Sequence, residues 1–70
     1  MIWTVTDSDN GQLIKTTSHN KALKVFNETV TAFLDGAGEE PANMVEESDY
    51  FYFEYEDGDT FEVKLDCREN

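Results

Sequence analysis

Apolar positions along the chain change period twice, from two residues to 3.6 and back to two. Ile2 to Thr6 is β-branched and aromatic, with Trp3 and Val5 on one face, and predicts a strand. Asp7 to Gly11 (Asp-Ser-Asp-Asn-Gly) is dense in turn formers, and Asn-Gly is the strongest short hairpin signal. Gln12 to Thr17 is therefore expected to return as a second strand. Leu13 and Ile14 fall on opposite faces of such a strand, which leaves the register of this hairpin open.

The period then lengthens. Ser18 fits an N-cap, with Asn20 as the alternative. From His19 to Leu34, the residues Leu23, Phe26, Val30, Phe33 and Leu34 recur at the spacing of one buried helical stripe. Lys21, Lys24, Asn27, Glu28 and Thr31 fall largely elsewhere. Gly36 suits the left-handed position just after a helix and is expected to end this one. Residues 37–47 predict a connector, interrupted by Gly38 and Pro41, with Met44 and Val45 placed to plug the edge of the core.

Alternation returns in two last strands, Asp49 to Glu56 and Thr60 to Asp66. Phe51, Phe53 and Tyr55 alternate with Tyr50, Tyr52, Glu54 and Glu56 in the first. Phe61, Val63 and Leu65 alternate with Thr60, Glu62, Lys64 and Asp66 in the second. Facing residues share a side of the sheet, so the apolar sets meet only across an odd-numbered loop. The expectation is a three-residue loop, Asp57–Asp59, with Tyr55 opposite Phe61. The whole predicts a single α+β domain over residues 1–70: a four-stranded antiparallel sheet with one helix packed on one face, order β-β-α-β-β.

Charge sharpens this picture. The chain has 70 residues, 16 acids and 5 bases, for a net charge of −11. In residues 1–34, Asp7, Asp9 and Glu28 balance Lys15, Lys21 and Lys24. In residues 35–70, thirteen acids face only Lys64 and Arg68, so all of the net charge lies in the second half. A solvation shell of acids would be spread over the whole surface, whereas a concentrated field serves to steer an opposite charge. The same field argues against binding DNA, RNA or an anionic membrane, which need clustered Lys and Arg.

Candidate chemistry is sparse. Asp7 to Gly11 resembles a calcium loop only superficially: the Gly comes one place too early, and Ser18 stands where the twelfth-position Glu is required. One Cys and one His fall short of a zinc ligand set, and no metal or other cofactor is expected. His19 and Cys67 stand far apart in sequence, as a capping or surface histidine and a free surface thiol. No nucleophile–base–orienter set and no phosphate loop is present, so the chain is not expected to be an enzyme. With no basic leader and no long apolar run, a cytoplasmic protein is expected, in the host cytoplasm if virus-encoded.

One constellation remains. The outer face of the last hairpin carries Tyr50, Tyr52, Glu54 and Glu56 beside Glu62, Lys64 and Asp66, with Glu46, Glu47 and Asp49 just upstream. Glu39 and Glu40 add to this density. Tyr is enriched at binding hot spots and stacks on Arg. In physical character, though with no shared motif, this small, extremely acidic chain resembles phage-encoded inhibitors of host defence nucleases, including anti-restriction and anti-CRISPR proteins. That resemblance implies a nucleic-acid mimic whose partner is a basic nucleic-acid-binding protein or nuclease complex. Immunity proteins and antitoxins that neutralise basic toxins share the same physics. A salt-adapted or structural module, whose acidity serves solubility, is the alternative of a different class. A free strand edge leaves homodimerisation open.

Overall fold

The computed structural model describes residues 1–69. Among them are one helix and five strands: β1 (Ile2–Asp7), β2 (Gly11–Thr16), α1 (His19–Ala37), β3 (Asn43–Glu46), β4 (Tyr50–Glu54) and β5 (Thr60–Arg68). The strands form one sheet in the order β2-β1-β5-β4-β3, every neighbouring pair antiparallel. The α+β class and the single helix are as expected. The strand count is not: the segment read as a connector supplies β3, giving β-β-α-β-β-β. Met44 and Val45 do not plug the core, for both are more than a third exposed. A four-residue strand is too short to show a period, and only the presence of β4 beside it gives its backbone a partner.

The open register of the first hairpin is resolved by a bulge. Val5 pairs with Ile14 and Thr6 with Gln12, so Leu13 is the extra residue. The bulge lets both Leu13 and Ile14 pack against the core, which strict alternation forbids. The turn is held by Asp7, 5 % exposed, whose carboxylate accepts the backbone N–H groups of Asp9 and Asn10 and the Asn10 side-chain amide.

Ser18 caps the helix. Its backbone is extended and its Oγ accepts the Lys21 N–H at 3.2 Å. The helix runs past Gly36, and it is Gly38, at φ 70°, that takes the left-handed position. Gly36 was the expected stop; the next left-handed-capable residue is two places on, and Ala37 still packs against the core. Ala22, Phe26 and Val30 are the buried helical positions. Leu34, expected in the stripe, is 38 % exposed, whereas Phe33 beside it packs inward.

The β4–β5 loop has three residues, but one place earlier than expected. The Tyr55 N–H donates to the Asp59 carbonyl at 2.8 Å, and the Gly58 N–H to the Tyr55 carbonyl at 3.0 Å. The loop is therefore Glu56–Gly58, with Gly58 at φ 95° supplying the left-handed residue such a loop needs. Phe53, not Tyr55, faces Phe61. The shift is two residues, so the side chains that remain in the paired strands keep the face expected of them, while Glu56, expected on the outer face, falls in the loop.

The core lies between α1 and the inner sheet face: Val5, Phe51, Phe53, Phe61, Val63 and Leu65 under Ala22, Phe26 and Val30. The helix axis runs over β2, β1 and β5. Its link to β4 is Phe33, whose ring stacks on Phe61 at 4.1 Å and meets Phe53 edge-on at 5.0 Å and Phe51 at 5.9 Å. No helix among the described residues is long and apolar enough to cross a membrane.

Candidate protein-binding face

Alternation along β4 and β5 puts Tyr50, Tyr52 and Glu54 beside Glu62, Lys64 and Asp66 on the face away from α1. Tyr50 pairs with Lys64 and Tyr52 with Glu62. Here the structure brings together most of the residues singled out from the sequence. Glu47 joins them opposite Tyr50, one place beyond β3. The others lie elsewhere. Glu46 pairs with Phe51 and so belongs to the helix side, at the sheet's margin. Glu56 is in the β4–β5 loop. Asp49 is in the β3–β4 turn, where its carbonyl accepts the Leu65 N–H at 2.9 Å.

The face is ordered by hydrogen bonds between its own residues. The Tyr50 hydroxyl donates to the Glu62 carboxylate at 2.5 Å. That bond, then burial and the charges of Glu62, Tyr52 and Glu47, push the Tyr50 pKa up to about 12. The bond from Tyr50 holds Glu62 below the usual carboxylate range, assisted by Lys64 at 3.3 Å and opposed by desolvation. Tyr52 is also raised, first by desolvation and then by Glu54, whose carboxylate its hydroxyl reaches at 3.5 Å. Both tyrosines therefore present neutral hydroxyls at neutral pH.

The sheet topology adds what the sequence hid. β1 pairs with β5 so that Thr4 faces Asp66 and Ile2 faces Arg68, while Lys15 of β2 faces Thr4. Lys15, Lys64 and Arg68 therefore share the outer face with Glu54, Glu62 and Asp66, and the β2–β1–β5 part of that face is mixed in sign. Along the chain, by contrast, the acids run unmixed. Between Val25 and Val63 there are twelve acids and no base. This stretch makes the second half of α1, β3, β4, the β4–β5 loop and the start of β5. The Ala42 N–H donates to the Glu54 carbonyl at 2.7 Å, which holds the Glu39–Glu40 segment beside the end of β4.

Helix energetics do not explain this placement. Carbonyl dipoles give a helix C-terminus partial negative charge, so Lys or Arg belongs there and Asp or Glu at the start. Here Lys21 and Lys24 lie in the first two turns and Asp35 in the last, with no base in the last turn and no acid in the first. Each such reversal costs about 0.3–1 kcal/mol. Lys24 meets Glu28 at 3.9 Å, both well exposed, which offsets little.

A second constellation escaped the sequence reading. His19, the first helical residue, stacks on Trp3 at 3.8 Å with the rings 11° from parallel. Asp49 and Cys67 also line an open hollow beside the pair. β1–β5 pairing sets Cys67 opposite Trp3, and so beside a histidine 48 positions away in sequence. Among the described residues no group of three or more His, Cys, Asp or Glu side chains is placed to hold a metal ion.

No protein-family model matches the chain, and no curated protein or solved structure matches it either.

Proposed function

We propose that this chain is a binding protein that occupies a positively charged surface of another protein, with its carboxylates standing in for nucleic-acid phosphates. It would inhibit a nuclease or other nucleic-acid-binding protein by stoichiometric occlusion, in the manner of anti-restriction or anti-CRISPR inhibitors. The observation that carries this reading is the one-sided charge. Twelve acids follow one another along the chain between Val25 and Val63 with no base among them, and Asp35 in the last helical turn stands against the helix dipole. Such a field speeds encounter with a cationic partner. Tyr50 and Tyr52, neutral and hydrogen-bonded, supply flat apolar area beside it. Glu54, Glu62 and Asp66 contribute from the outer face, and Glu39, Glu40, Glu46, Glu47, Asp49 and Glu56 from its margin.

Two triple variants test the reading at matched net charge: Glu54, Glu62 and Asp66 to Lys, and Glu39, Glu40 and Glu56 to Lys. Each lowers the net charge from −11 to −5. The native chain should retain a nucleic-acid-binding protein from host lysate, added duplex DNA should displace it, and at least one variant should fail to retain it. Capture of the same proteins by all three chains would refute the reading. A toxin in place of a nuclease would identify an immunity protein or antitoxin. Salt separates the remaining alternative: a salt-adapted module requires molar salt to fold, whereas an inhibitor melts cooperatively at physiological ionic strength.

A further inference from the structure

Sheet edges carry unpaired backbone donors and acceptors, which a folded domain either blunts or uses. The two edges of this sheet differ. β2 is blunted by the bulge at Leu13 and by Lys15. β3 is exposed at all four positions, pairs with β4 in unbroken register and carries no base.

The ladder identifies the free groups. The Glu47 N–H donates to the Tyr50 carbonyl at 2.8 Å, so 47 and 50 form a hydrogen-bonded pair. Bonded and non-bonded pairs alternate in an antiparallel ladder. Val45 with Tyr52 and Asn43 with Glu54 are then the bonded pairs, and the N–H and C=O of Met44 and Glu46 point away from β4 into the open edge. The side chains suit a further strand on either face. Met44, 41 % exposed, lies on the helix side opposite Phe53, and Val45, 37 % exposed, lies on the outer face opposite Tyr52.

Charge selects the occupant. Glu39 and Glu40 precede β3, Glu46, Glu47 and Asp49 close it, and Glu54 faces Asn43 across the ladder. A second copy would bring the same acids and another −11. We propose that β3 is a strand-addition edge that accepts an extended segment of a basic protein, in which apolar residues alternate with Lys or Arg. The proposal rests on the binding reading above and specifies how the partner is held. Backbone hydrogen bonds to Met44 and Glu46 supply affinity, and alternate side chains falling beside Met44 or Val45 and the flanking acids supply specificity.

The test uses the full chain and a synthetic peptide of roughly seven alternating Lys and Val residues, long enough to span a short strand. Its twin is N-methylated at alternate positions, which keeps the charge and removes strand-forming N–H groups. Amide hydrogen exchange is followed by NMR. The Met44 and Glu46 amides should slow by about tenfold or more with the peptide and not with the twin, tenfold being the net worth of about one hydrogen bond. Met44→Pro removes an outward N–H and leaves the bonds to Tyr52 and Glu54. It should weaken peptide binding by a similar factor with an unchanged circular dichroism spectrum.

Equal binding of both peptides, with these amides unprotected, overturns strand addition and leaves the charge reading standing. Binding of neither peptide at low salt overturns both. Protection in the free chain that grows with concentration and tracks a dimer mass makes a second copy the occupant, and overturns the basic segment.

Discussion

Phe33→Ala tests how the candidate face is held. The axis of α1 passes over β2, β1 and β5, and Phe33 reaches beyond them to Phe51 and Phe53 of β4 as well as Phe61 of β5. Truncating a buried Phe costs about 3–5 kcal/mol, and aromatic pairs add about 0.5–1.5 kcal/mol beyond area burial. Phe33 is only half-buried, which places the expected loss near the lower end, about 3 kcal/mol. A domain of 70 residues has roughly 3.5–10 kcal/mol in total. For a domain of this size 1 kcal/mol moves Tm by about 4–8 °C, so Tm should fall by about 12–24 °C. Leu34→Ala is the control. It removes a larger-than-methyl apolar side chain one position away that is 38 % exposed, and should move Tm by less than about 5 °C. Thermal unfolding followed by far-UV circular dichroism reads both. Equal shifts for the two variants would refute the claim that Phe33 ties β4 to the helix.

The Tyr50–Glu62 bond should be visible in titration. One of the three tyrosines should ionise near pH 12 by ultraviolet absorbance, and Glu62→Gln should bring it down; three tyrosines ionising together near 10 would contradict the bond. Because folding raises the Tyr50 pKa, its contribution to stability is intact below pH 10 and is lost as pH climbs through about 12. Because folding lowers the Glu62 pKa, its contribution is intact above the ordinary value of 4.5 and is lost as pH falls through the lower folded value. Two glycines should respond with opposite signs. Gly58→Ala forces a side chain onto φ 95° and should cost about 1–2 kcal/mol, lowering Tm. Gly36→Ala meets open space inside the helix and should gain about 0.5–1 kcal/mol, raising Tm; a loss there would place the helix end at Gly36 after all.

How much was legible in the sequence followed from how local each feature is. The helix start needed only Ser18 and the backbone it caps. The sidedness of β4 and β5 needed only period-two alternation and an odd loop. A two-residue register error at Phe61 therefore left the paired side chains on their expected faces and moved only Glu56 into the loop. Asn10-Gly11 marked its hairpin for the same reason, but not the bulge at Leu13, which exists because two neighbouring apolar residues both gain by packing on one core. β3 left no signal because four residues without a partner have neither period nor propensity to reveal. The candidate face divides along the same line. Its tyrosines and carboxylates were readable along two adjacent strands, and so was the excess of acid in the second half of the chain. The arrival of Lys15 and Arg68 on that face, the stacking of His19 on Trp3 beside Cys67, and the open edge at Met44 and Glu46 were not. Each depends on which strand lies next to which, and strand order is settled by burying one continuous apolar surface under α1, a property of the folded whole that no single segment carries.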